Sequence, residues 1–437
     1  MANIVKKHLD FVALRSTLSE HLINIKDNRQ PASCTYSLHD AVMSAFACMY
    51  FQDESLSKFQ RKMEENEHRN NLRTLFDVQN IPKDSQLRDI LDNIDSENFR
   101  PVFKDFFHNL RRGKHLENYQ ILPNLYICAI DGVHYHSSEN VHCSQCLTKK
   151  HKNGTITYQH AVLQGAILHP DKKQVIPLMP EPIANSDGTS KQDCEVNAAK
   201  RFIKGLKTDH PRLGLIITGD GLFSKSPMIE VVLAEKMNFL FVAKPDDHKY
   251  LYEQIKNCDD ISVIESTDDK GRIHRYSYRN EIQLNAQKNA PQINYINYQI
   301  INKENKVVYK NSWVTNIRLD DTNVIKLAKG GRCRWKIENE CFNTLKNQGY
   351  YLKHNFGHGH KYLCHNMYLL TLLAFFFHQI FELSDLAYQL CRRSYVSKKH
   401  LWETCRVLIG YFIFDSWNEL LIKIMSGRGG IPFLEKN

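Results

Sequence analysis

The sequence predicts an α/β fold in which a mixed sheet is flanked by helical regions at both ends of the chain. Three observations predict it. Residues 9–112 have helical periodicity, residues 122–244 alternate β-rich and helical segments, and helical periodicity returns from about Ala328 to Met425. The chain has 437 residues, 42% of them apolar, and can therefore bury a large core.

The composition narrows the class of protein. Lysine and arginine number 58 against 48 acidic residues, a formal charge of +10, which suits a polyanionic partner without proving one. The apolar run Leu369–Phe377 is bracketed by His365 and His378 and is too short to span a bilayer, so it predicts a buried helix. We therefore expect a cytoplasmic protein with no membrane segment, and we expect its twelve cysteines to be reduced thiols.

The middle of the chain predicts the order βββαβαβ. Three β-rich segments begin near Leu122, Thr155 and Lys173, a helix follows from Asp193, and the almost wholly apolar LGLIITGDG from Leu213 predicts a strand buried on both faces. A further helix and the strand NFLFVAK complete the order. From Pro245 to about Asn323, alternating segments predict antiparallel strands with polar turns rather than helices.

These patterns divide the chain into five predicted segments. They are a helical amino-terminal domain (1–113), the first part of an α/β core (114–244), a β-rich insertion (245–327), a returning core helix (328–360) and a helical carboxyl-terminal region (361–437).

Two aspartates occupy matched positions in the predicted core. Asp131 follows LYICAI and Asp220 follows LGLIITG, each at the predicted end of an apolar strand and beside a glycine. Asp-Gly is also a favoured turn pair, so either aspartate alone would be explained as turn chemistry. Because ligands of such sheets bind at strand ends, the matched pair predicts a site. Phosphodiester chemistry with divalent ions requires a further carboxylate nearby.

The segment GRCRWKIENECFNTLKNQGY, from Gly331 to Tyr350, supplies that carboxylate. On a uniform α-helix, Glu338 falls within an apolar arc and Glu340 on the opposite, polar face. The arc contains Trp335, Ile337, Cys341, Phe342 and Leu345. A carboxylate directed at a core is costly unless it is paired or metal-bound, so we expect Glu338 to be the functional one.

With these residues the sequence resembles the DDE transposases of insertion-sequence family four, whose RNase-H-like core is interrupted by a β-rich insertion before the last catalytic helix. Asp131, Asp220 and Glu338 match the catalytic triad of that family. Its Y-R-E-K signature is matched by Arg334, Glu338 and Lys346, with Trp313 inside the insertion. Two positions depart from it: Gly331 replaces the tyrosine, and Lys346 lies one residue further from Glu338.

The resemblance implies an activity and its partners. It implies Mg2+-dependent cleavage at the ends of a mobile element, followed by strand transfer into target DNA by a dimer assembled on the DNA. Two Mg2+ ions, for which Mn2+ can substitute, would be held by the three carboxylates. Arg332, Arg334 and Lys346 would contact DNA. The alternatives are an RNase-H-like nuclease or resolvase, and a catalytically silent DNA-binding protein derived from a transposase.

Other polar clusters have simpler interpretations. His142, Cys143, Cys146 and His151 have the residue types of a small zinc site, but there is no second C-x2-C pair, so we expect reduced thiols, solvated histidines and no bound zinc. The histidines between His354 and Asn366 lie on a predicted loop, where packing or DNA-backbone contact explains them. Asp193 and Glu195 are interpreted as acids of a first helical turn.

Overall fold

The computed structural model describes residues 7–427 apart from residues 31–33, 65–69, 186–191 and 355. The amino-terminal region is helical, as predicted. Its helices are α1 (Phe11–Ile23), α2 (Leu38–Tyr50), α3 (Leu56–Glu64), α4 (Asn71–Phe76), α5 (Asp84–Asp92) and α6 (Arg100–Arg112). Side-chain caps define several of their starts, as Asp10 does for α1 and Ser37 for α2.

The core follows in the predicted order, with additional short strands. Its elements are β1 (Gln120–Leu122), β2 (Leu125–Ser138), β3 (Leu147–Lys150), β4 (Ile156–Leu168), β5 (Ile176–Pro177), β6 (Glu181–Ile183), α7 (Glu195–Asp209), β7 (Gly214–Gly219), α8 (Ser226–Ala234) and β8 (Asn238–Val242). The third predicted strand is therefore divided into two short pieces, β5 and β6.

The segment predicted as a β-rich insertion contains β9 (Ser262–Thr267), β10 (Ile273–Gln283), β11 (Gln292–Ile301) and β12 (Val307–Thr315). The expectation of strands without helices is wrong at its start, because Lys249–Lys256 form helix α9. Leu251, on the inner face of α9, is fully buried, and tertiary packing of such an apolar face can stabilise a short helix. The strands β9–β12 pair consecutively and antiparallel.

All these strands belong to one mixed sheet. Its order is β3-β4-β2-β7-β8-β12-β11-β10-β9, with β1 beside β2 and with β5 and β6 beside β4. β2 is antiparallel to β4 and parallel to β7, and β7 is parallel to β8. The mixed α/β sheet with helical regions at both ends is thus as predicted. The insertion continues the same sheet, since β12 pairs antiparallel with β8 through Trp313 and Val242.

The chain then becomes helical and returns to the amino-terminal region. It forms α10 (Val324–Arg332), a π-helix (Ile337–Phe342), α11 (Asn343–Asn347), α12 (Leu363–Ser384), α13 (Leu386–Arg393), α14 (Lys398–Tyr411) and α15 (Trp417–Ser426). α12 is long and apolar enough to cross a membrane, but 83% of its most apolar window is buried inside the structure. The prediction of a buried core helix is confirmed.

The two helical ends form one packed layer. Phe11 stacks on Trp417 with ring centroids 5.5 Å apart, and Tyr50 packs edge-on against Phe377 of α12 at 5.7 Å. The carboxylate of Asp92, at the end of α5, accepts four backbone N–H bonds from residues 360–363, where α12 begins. The amino-terminal helices therefore hold the chain segment that leaves the core.

Candidate active site

The sheet register places Asp131 and Asp220 side by side. The parallel pairing of β2 and β7 ends with Ala129 opposite Thr218, so two residues further along each chain Asp131 is level with Asp220. Side chains two residues apart on a strand lie on the same face, so Asp131 and Asp220 continue the face of the sheet that carries Ala129 and Thr218. The prediction that β2 ends at Asp131 is wrong. β2 continues to Ser138, because Asp131 remains paired with Gln164 of β4 after β7 has ended.

Asp131 is the carboxylate with the most strongly altered acidity in this region. The pKa of Asp131 is raised to about 6, mainly by burial; the cation of Arg334 lowers it, and the neighbouring carboxylates of Glu338 and Glu195 raise it. Its Oδ1 accepts the backbone N–H of Gly132 at 3.0 Å. Such a perturbed carboxyl in an open strand edge is typical of functional sites.

Asp220 lies at the first position after β7, where the chain turns. Its Oδ1 accepts the backbone N–H of Leu222 at 2.9 Å, which is the turn chemistry expected of an Asp-Gly pair. The second carboxylate oxygen has no such bond among the contacts of the described residues. The carboxylate can therefore serve both the turn and a ligand.

Glu338 reaches the same region through Arg334. The guanidinium of Arg334 lies 2.8 Å from Glu338 Oε1 and donates to Asp131 Oδ2 at 3.4 Å, so it bridges two of the three predicted carboxylates. The Arg334 side chain is 21% exposed and that of Glu338 is 49% exposed. The arginine is thus occupied by the acids, whereas the sequence predicted that it would be available for DNA.

The expectation that Glu338 points into an apolar arc is wrong. Glu338 is exposed, and Trp335, which was placed in the same arc, is 43% exposed. The buried cation of the segment is Lys336, whose Nζ donates to the carbonyls of His169, Pro170 and Lys172. The physical reason is that the segment is not one uniform α-helix, because α10 ends at Arg332 and residues 337–342 are π-helical.

The π-helix also explains the unusual spacing to Lys346. A single π-helical turn accommodates one residue more than the α-helix around it. Eight residues of α-helix would place Lys346 about 80° away from Glu338, whereas seven α-helical steps place it about 20° away. The extra residue is absorbed in the π-helix, so Lys346 remains on the face of Glu338. Burial lowers the pKa of Lys346, and the charge of Asp131 partly raises it again, as expected if the two side chains lie close together.

Gly331 lies where the resembled signature has tyrosine, and the structure shows what occupies that space. A Cβ atom on Gly331 would collide with the indole of Trp313, whose Nε1 it would approach to 2.6 Å. Trp313 is fully buried on β12. Trp313 of the insertion thus fills the volume next to Gly331. A larger residue at position 331 would require the indole to move.

Arg332, the other predicted DNA contact, is exposed and lies against the insertion. Its guanidinium is 4.7 Å from the centroid of the Tyr309 ring and 6.0 Å from that of Tyr298. Cation–π contact of this kind orients an arginine without neutralising its charge. Arg332 therefore differs from Arg334, whose guanidinium is paired with Asp131 and Glu338.

Glu195, which the sequence analysis interpreted as an acid of a first helical turn, does lie at the start of α7, and it also lies close to Asp131 and Asp220. It begins α7 without a side-chain capping bond, and a Cβ atom on Gly132 would collide with its carboxylate. Burial and the charge of Asp220 raise the pKa of Glu195. Asp193, in contrast, lies before α7 rather than in its first turn, and it forms an ion pair with Arg201 at 2.7 Å. Gly132, the residue after Asp131, leaves room for this carboxylate because it has no side chain.

These carboxylates suit a hard divalent cation, whose preferred ligands are oxygens. The charges of Glu338 and Glu195 add to the effect of burial in raising the pKa of Asp131, and the charge of Asp220 adds to that of burial in raising the pKa of Glu195. Among the residues that the structure describes, the four carboxylates do not form a group with all ligand atoms within 4.8 Å, and Arg334 supplies the positive charge between two of them. A cation bound here would compete with that guanidinium.

Of the four residues with zinc-site spacing in the sequence, for which no bound zinc was expected, the structure brings together the two cysteines. Cys143 and Cys146 converge with His160 and His358, and all four ligand atoms lie within 4.8 Å of one another. His142 instead stacks on Tyr158, and His151 hydrogen-bonds to Thr157 Oγ1 at 2.7 Å. The two histidines of the sequence motif are therefore the wrong pair. The two that converge lie 14 and 212 residues beyond Cys146.

Comparisons with known proteins indicate the class of protein to which part of the chain is similar. Residues 19–107, which span most of the amino-terminal helices, match the family described as DDE_Tnp_1-associated, a domain typical of DDE transposases of the insertion-sequence-four kind. No curated protein matches the chain. Among solved structures, the NurA nuclease from Sulfolobus solfataricus is similar at 9% identity over 54% of this chain and 85% of that one, with a TM-score of 0.22.

Proposed function

We propose that the protein is a DDE transposase that cleaves DNA at the ends of a mobile element and transfers the strands into target DNA. Asp131, Asp220 and Glu338 are the catalytic carboxylates in this proposal. The observation that carries it is the register of β2 and β7, which sets Asp131 level with Asp220 at the point where the parallel pairing stops. Glu338 joins them through the bridging guanidinium of Arg334.

The proposal gives the insertion a structural reason. β8 leads into the segment that forms β9–β12, and β12 returns to pair with β8 before α10 begins. The chain therefore comes back to the core sheet before it delivers Arg334 and Glu338. The match of residues 19–107 supports the same class through a different part of the chain.

Asp131, Asp220 and Glu338 would hold two Mg2+ ions, or Mn2+ in their place, with Glu195 as a nearby carboxylate. Bound ions of this type activate water or a 3'-hydroxyl and stabilise the leaving oxygen in phosphodiester cleavage. Asp131 must be ionised to act as a ligand, so its raised pKa makes the site sensitive to acid.

The basic residues around the carboxylates would bind phosphates. Lys346 lies on the face of Glu338. The pKa of His134 is lowered mainly by burial and further by the charges of Lys346 and Lys149. Both lysines are thus close to the strand that carries Asp131. Arginine forks and lysine ammonium groups are the usual partners of phosphate oxygens. When DNA and metal arrive, Arg334 would exchange its carboxylate partners for phosphate.

A reaction with defined DNA ends tests the proposal. The protein is incubated with Mg2+ and labelled fragments from the ends of the element that encodes it, together with a supercoiled target plasmid. We expect cleavage at the ends and joined products, both lost in Asp131→Asn and in Asp220→Asn. Glu195→Gln should reduce cleavage, whereas Asp193→Asn, which alters only the neighbouring ion pair with Arg201, should retain it.

The same reaction separates the alternatives. Cleavage without any joined product would identify a nuclease or resolvase, and specific binding without cleavage would identify a silent DNA-binding protein. A transposase is expected to act as a dimer on DNA, so mixing wild-type and Asp220→Asn chains should give partial reactions if two subunits share one complex. A cytoplasmic location, where a bacterial chromosome is accessible, belongs to the same proposal.

A further inference from the structure

Four potential metal ligands from separate parts of the chain meet away from the carboxylates. Cys143 and Cys146 lie in the connection between β2 and β3, His160 lies on β4, and His358 lies in the segment that leads to α12. Cys146 is 3% exposed, and both histidines are 7% exposed. None of these residues is used by the proposed reaction.

Five of the six distances among the four ligand atoms are close to those of a tetrahedral zinc site, and the sixth is within 4.8 Å. With Zn–S near 2.3 Å and Zn–N near 2.0–2.1 Å, the edges of the tetrahedron are roughly 3.8 Å for S–S, 3.5 Å for S–N and 3.3 Å for N–N. The two Sγ atoms are 3.9 Å apart and the two Nε2 atoms 3.1 Å apart. The sulfur–nitrogen distances are 3.5 Å from Cys143 to His160, and 3.4 Å and 3.5 Å from Cys146 to His160 and His358.

The surroundings orient one of the imidazoles for metal binding. His358 Nδ1 lies 2.7 Å from the carbonyl oxygen of Gly359, which fixes the proton on Nδ1 and leaves the lone pair of Nε2 directed at the cluster. The backbone N–H of Cys143 points at Cys146 Sγ, 3.5 Å away, as donors around a thiolate do. Gly359 adopts φ +66°, a left-handed conformation that favours glycine, next to this ligand.

We propose that Cys143, Cys146, His160 and His358 bind one structural Zn2+ ion. Two thiolates and two neutral imidazoles neutralise the charge of the ion, so the complete site can be buried at low cost. All four positions of the tetrahedron are taken by protein ligands, which is the arrangement of structural rather than catalytic zinc. The proposal does not depend on the proposed function.

The site would join the sheet to the helical regions. The segment around His358 is already held by α5, since Arg88 Nε donates to the carbonyl of Phe356 at 2.8 Å and Asp92 caps the start of α12. Zinc would add a link from this segment to β4 and to the connection before β3. The hairpin of β3 and β4, whose turn contains Lys152, would thereby be fixed against the amino-terminal helices.

Metal analysis of the purified, full-length protein tests the proposal. We expect about one zinc per chain by mass spectrometry of the metal content, and less than about a tenth of that in His160→Ala and in His358→Ala. His142→Ala and His151→Ala are the matched controls, because these histidines lie in the sequence motif but outside the cluster; both should retain the zinc. Cys364→Ser, a thiol neighbouring the cluster, should retain it too.

Co2+ spectroscopy of the wild-type protein tests the proposal even if the histidine variants fold poorly. Wild-type protein exchanged into Co2+ should show the visible absorption of tetrahedral cobalt and a thiolate charge-transfer band, and Cys143→Ser should weaken that band. Removal of zinc by a chelator should lower the melting temperature of the wild-type protein. A wild-type protein that is folded, reduced and free of zinc, and that binds no Co2+ tetrahedrally, would overturn the proposal and leave a hydrogen-bonded group of thiols and imidazoles.

Discussion

Arg334 and Glu338 form an ion pair of 2.8 Å one helical turn apart, and the same guanidinium contacts Asp131 at 3.4 Å. The cation lies between two acids that the proposed reaction requires. In the protein without metal, Arg334 thus reduces the repulsion that a bound ion would otherwise relieve. Several predictions about metal, pH and DNA depend on this relationship and on the helix that carries it.

The first prediction concerns competition between Arg334 and metal. Arg334→Ala should bind Mn2+ more tightly than wild type in the absence of DNA, by a few-fold to about tenfold, because removing a partly exposed ion pair changes the free energy by about 1 kcal/mol. DNA cleavage should decrease, since a phosphate contact is lost. Titration of Mn2+ by electron paramagnetic resonance measures the affinity.

Arg332→Ala is the control for this experiment, because Arg332 lies against Tyr309 rather than against the acids. It should leave the Mn2+ affinity unchanged. If Arg334→Ala also leaves the affinity unchanged or weakens it, the guanidinium does not compete with metal.

The second prediction concerns pH. The pKa of Asp131 in the folded protein, about 6, is above the ordinary aspartate value of about 3.9, so the folded state retains a proton that the unfolded state loses between these values. The protonated Asp131 carboxyl therefore contributes to the free energy of unfolding below about pH 4, and this contribution is lost as the pH rises through about 6. Asp131→Asn should be more stable than wild type at pH 7 by up to about 3 kcal/mol, because each pH unit between the folded and unfolded pKa values corresponds to about 1.36 kcal/mol. The two proteins should be equally stable near pH 3.5.

Chemical denaturation with metal removed measures this difference at each pH. Asp89→Asn, at an exposed position on α5, is the control and should show no such pH-dependent gain. A difference between Asp131→Asn and wild type that does not vary with pH would contradict the assignment of the buried charge. In the same pH range, Mn2+ binding by the wild type should weaken below about pH 6, because protonated Asp131 is a poor ligand.

The third prediction concerns the π-helix. Deletion of Asn339, an exposed residue within it, should convert the segment to a continuous α-helix and keep Lys346 on the face of Glu338. The variant should fold and retain DNA cleavage. Deletion of Thr344, which is buried in α11, should instead rotate Cys341 and Phe342 by about 100° and destabilise the protein. Thermal unfolding and cleavage assays of both deletions test this, and loss of folding on deletion of Asn339 would show that the π-helix is required.

The fourth prediction concerns DNA binding. Binding to the element's ends should weaken linearly with the logarithm of salt concentration, with a slope of about 0.9 for each phosphate neutralised. Lys346→Ala should reduce the slope by about one such unit. Lys398→Ala should not, because Lys398 is already paired with Glu382 at 2.5 Å. Equal slopes for Lys346→Ala and wild type would exclude Lys346 as a phosphate contact.

The sequence predicted the class of fold and the positions of the strands because apolar periodicity reports burial directly. It did not predict that β2 continues beyond Asp131, since that depends on pairing with Gln164 of β4, a partner 33 residues away. Helix α9 was missed because its stability comes from packing of Leu251 rather than from local pattern.

Local motifs predicted the residues of the site. They could not predict which residues from distant segments of the chain contact one another. Glu338 was selected for burial on a uniform helix, whereas it is exposed and lies on a π-helix. Glu195 was interpreted as a helix-start residue because its position under Gly132 is visible only in three dimensions. His160 and His358 complete the cysteine cluster from sequence separations that no local spacing rule detects.

The most direct test of the central claim compares Glu338→Gln with Glu340→Gln. The two glutamates are two residues apart on the same π-helix, and Glu338 is the one paired with Arg334. With Mg2+ and cognate DNA ends, Glu338→Gln should lose cleavage while binding DNA and unfolding like the wild type, and Glu340→Gln should cleave normally. Near wild-type cleavage by Glu338→Gln, with an inactive Glu340→Gln, would contradict the assignment of the third carboxylate.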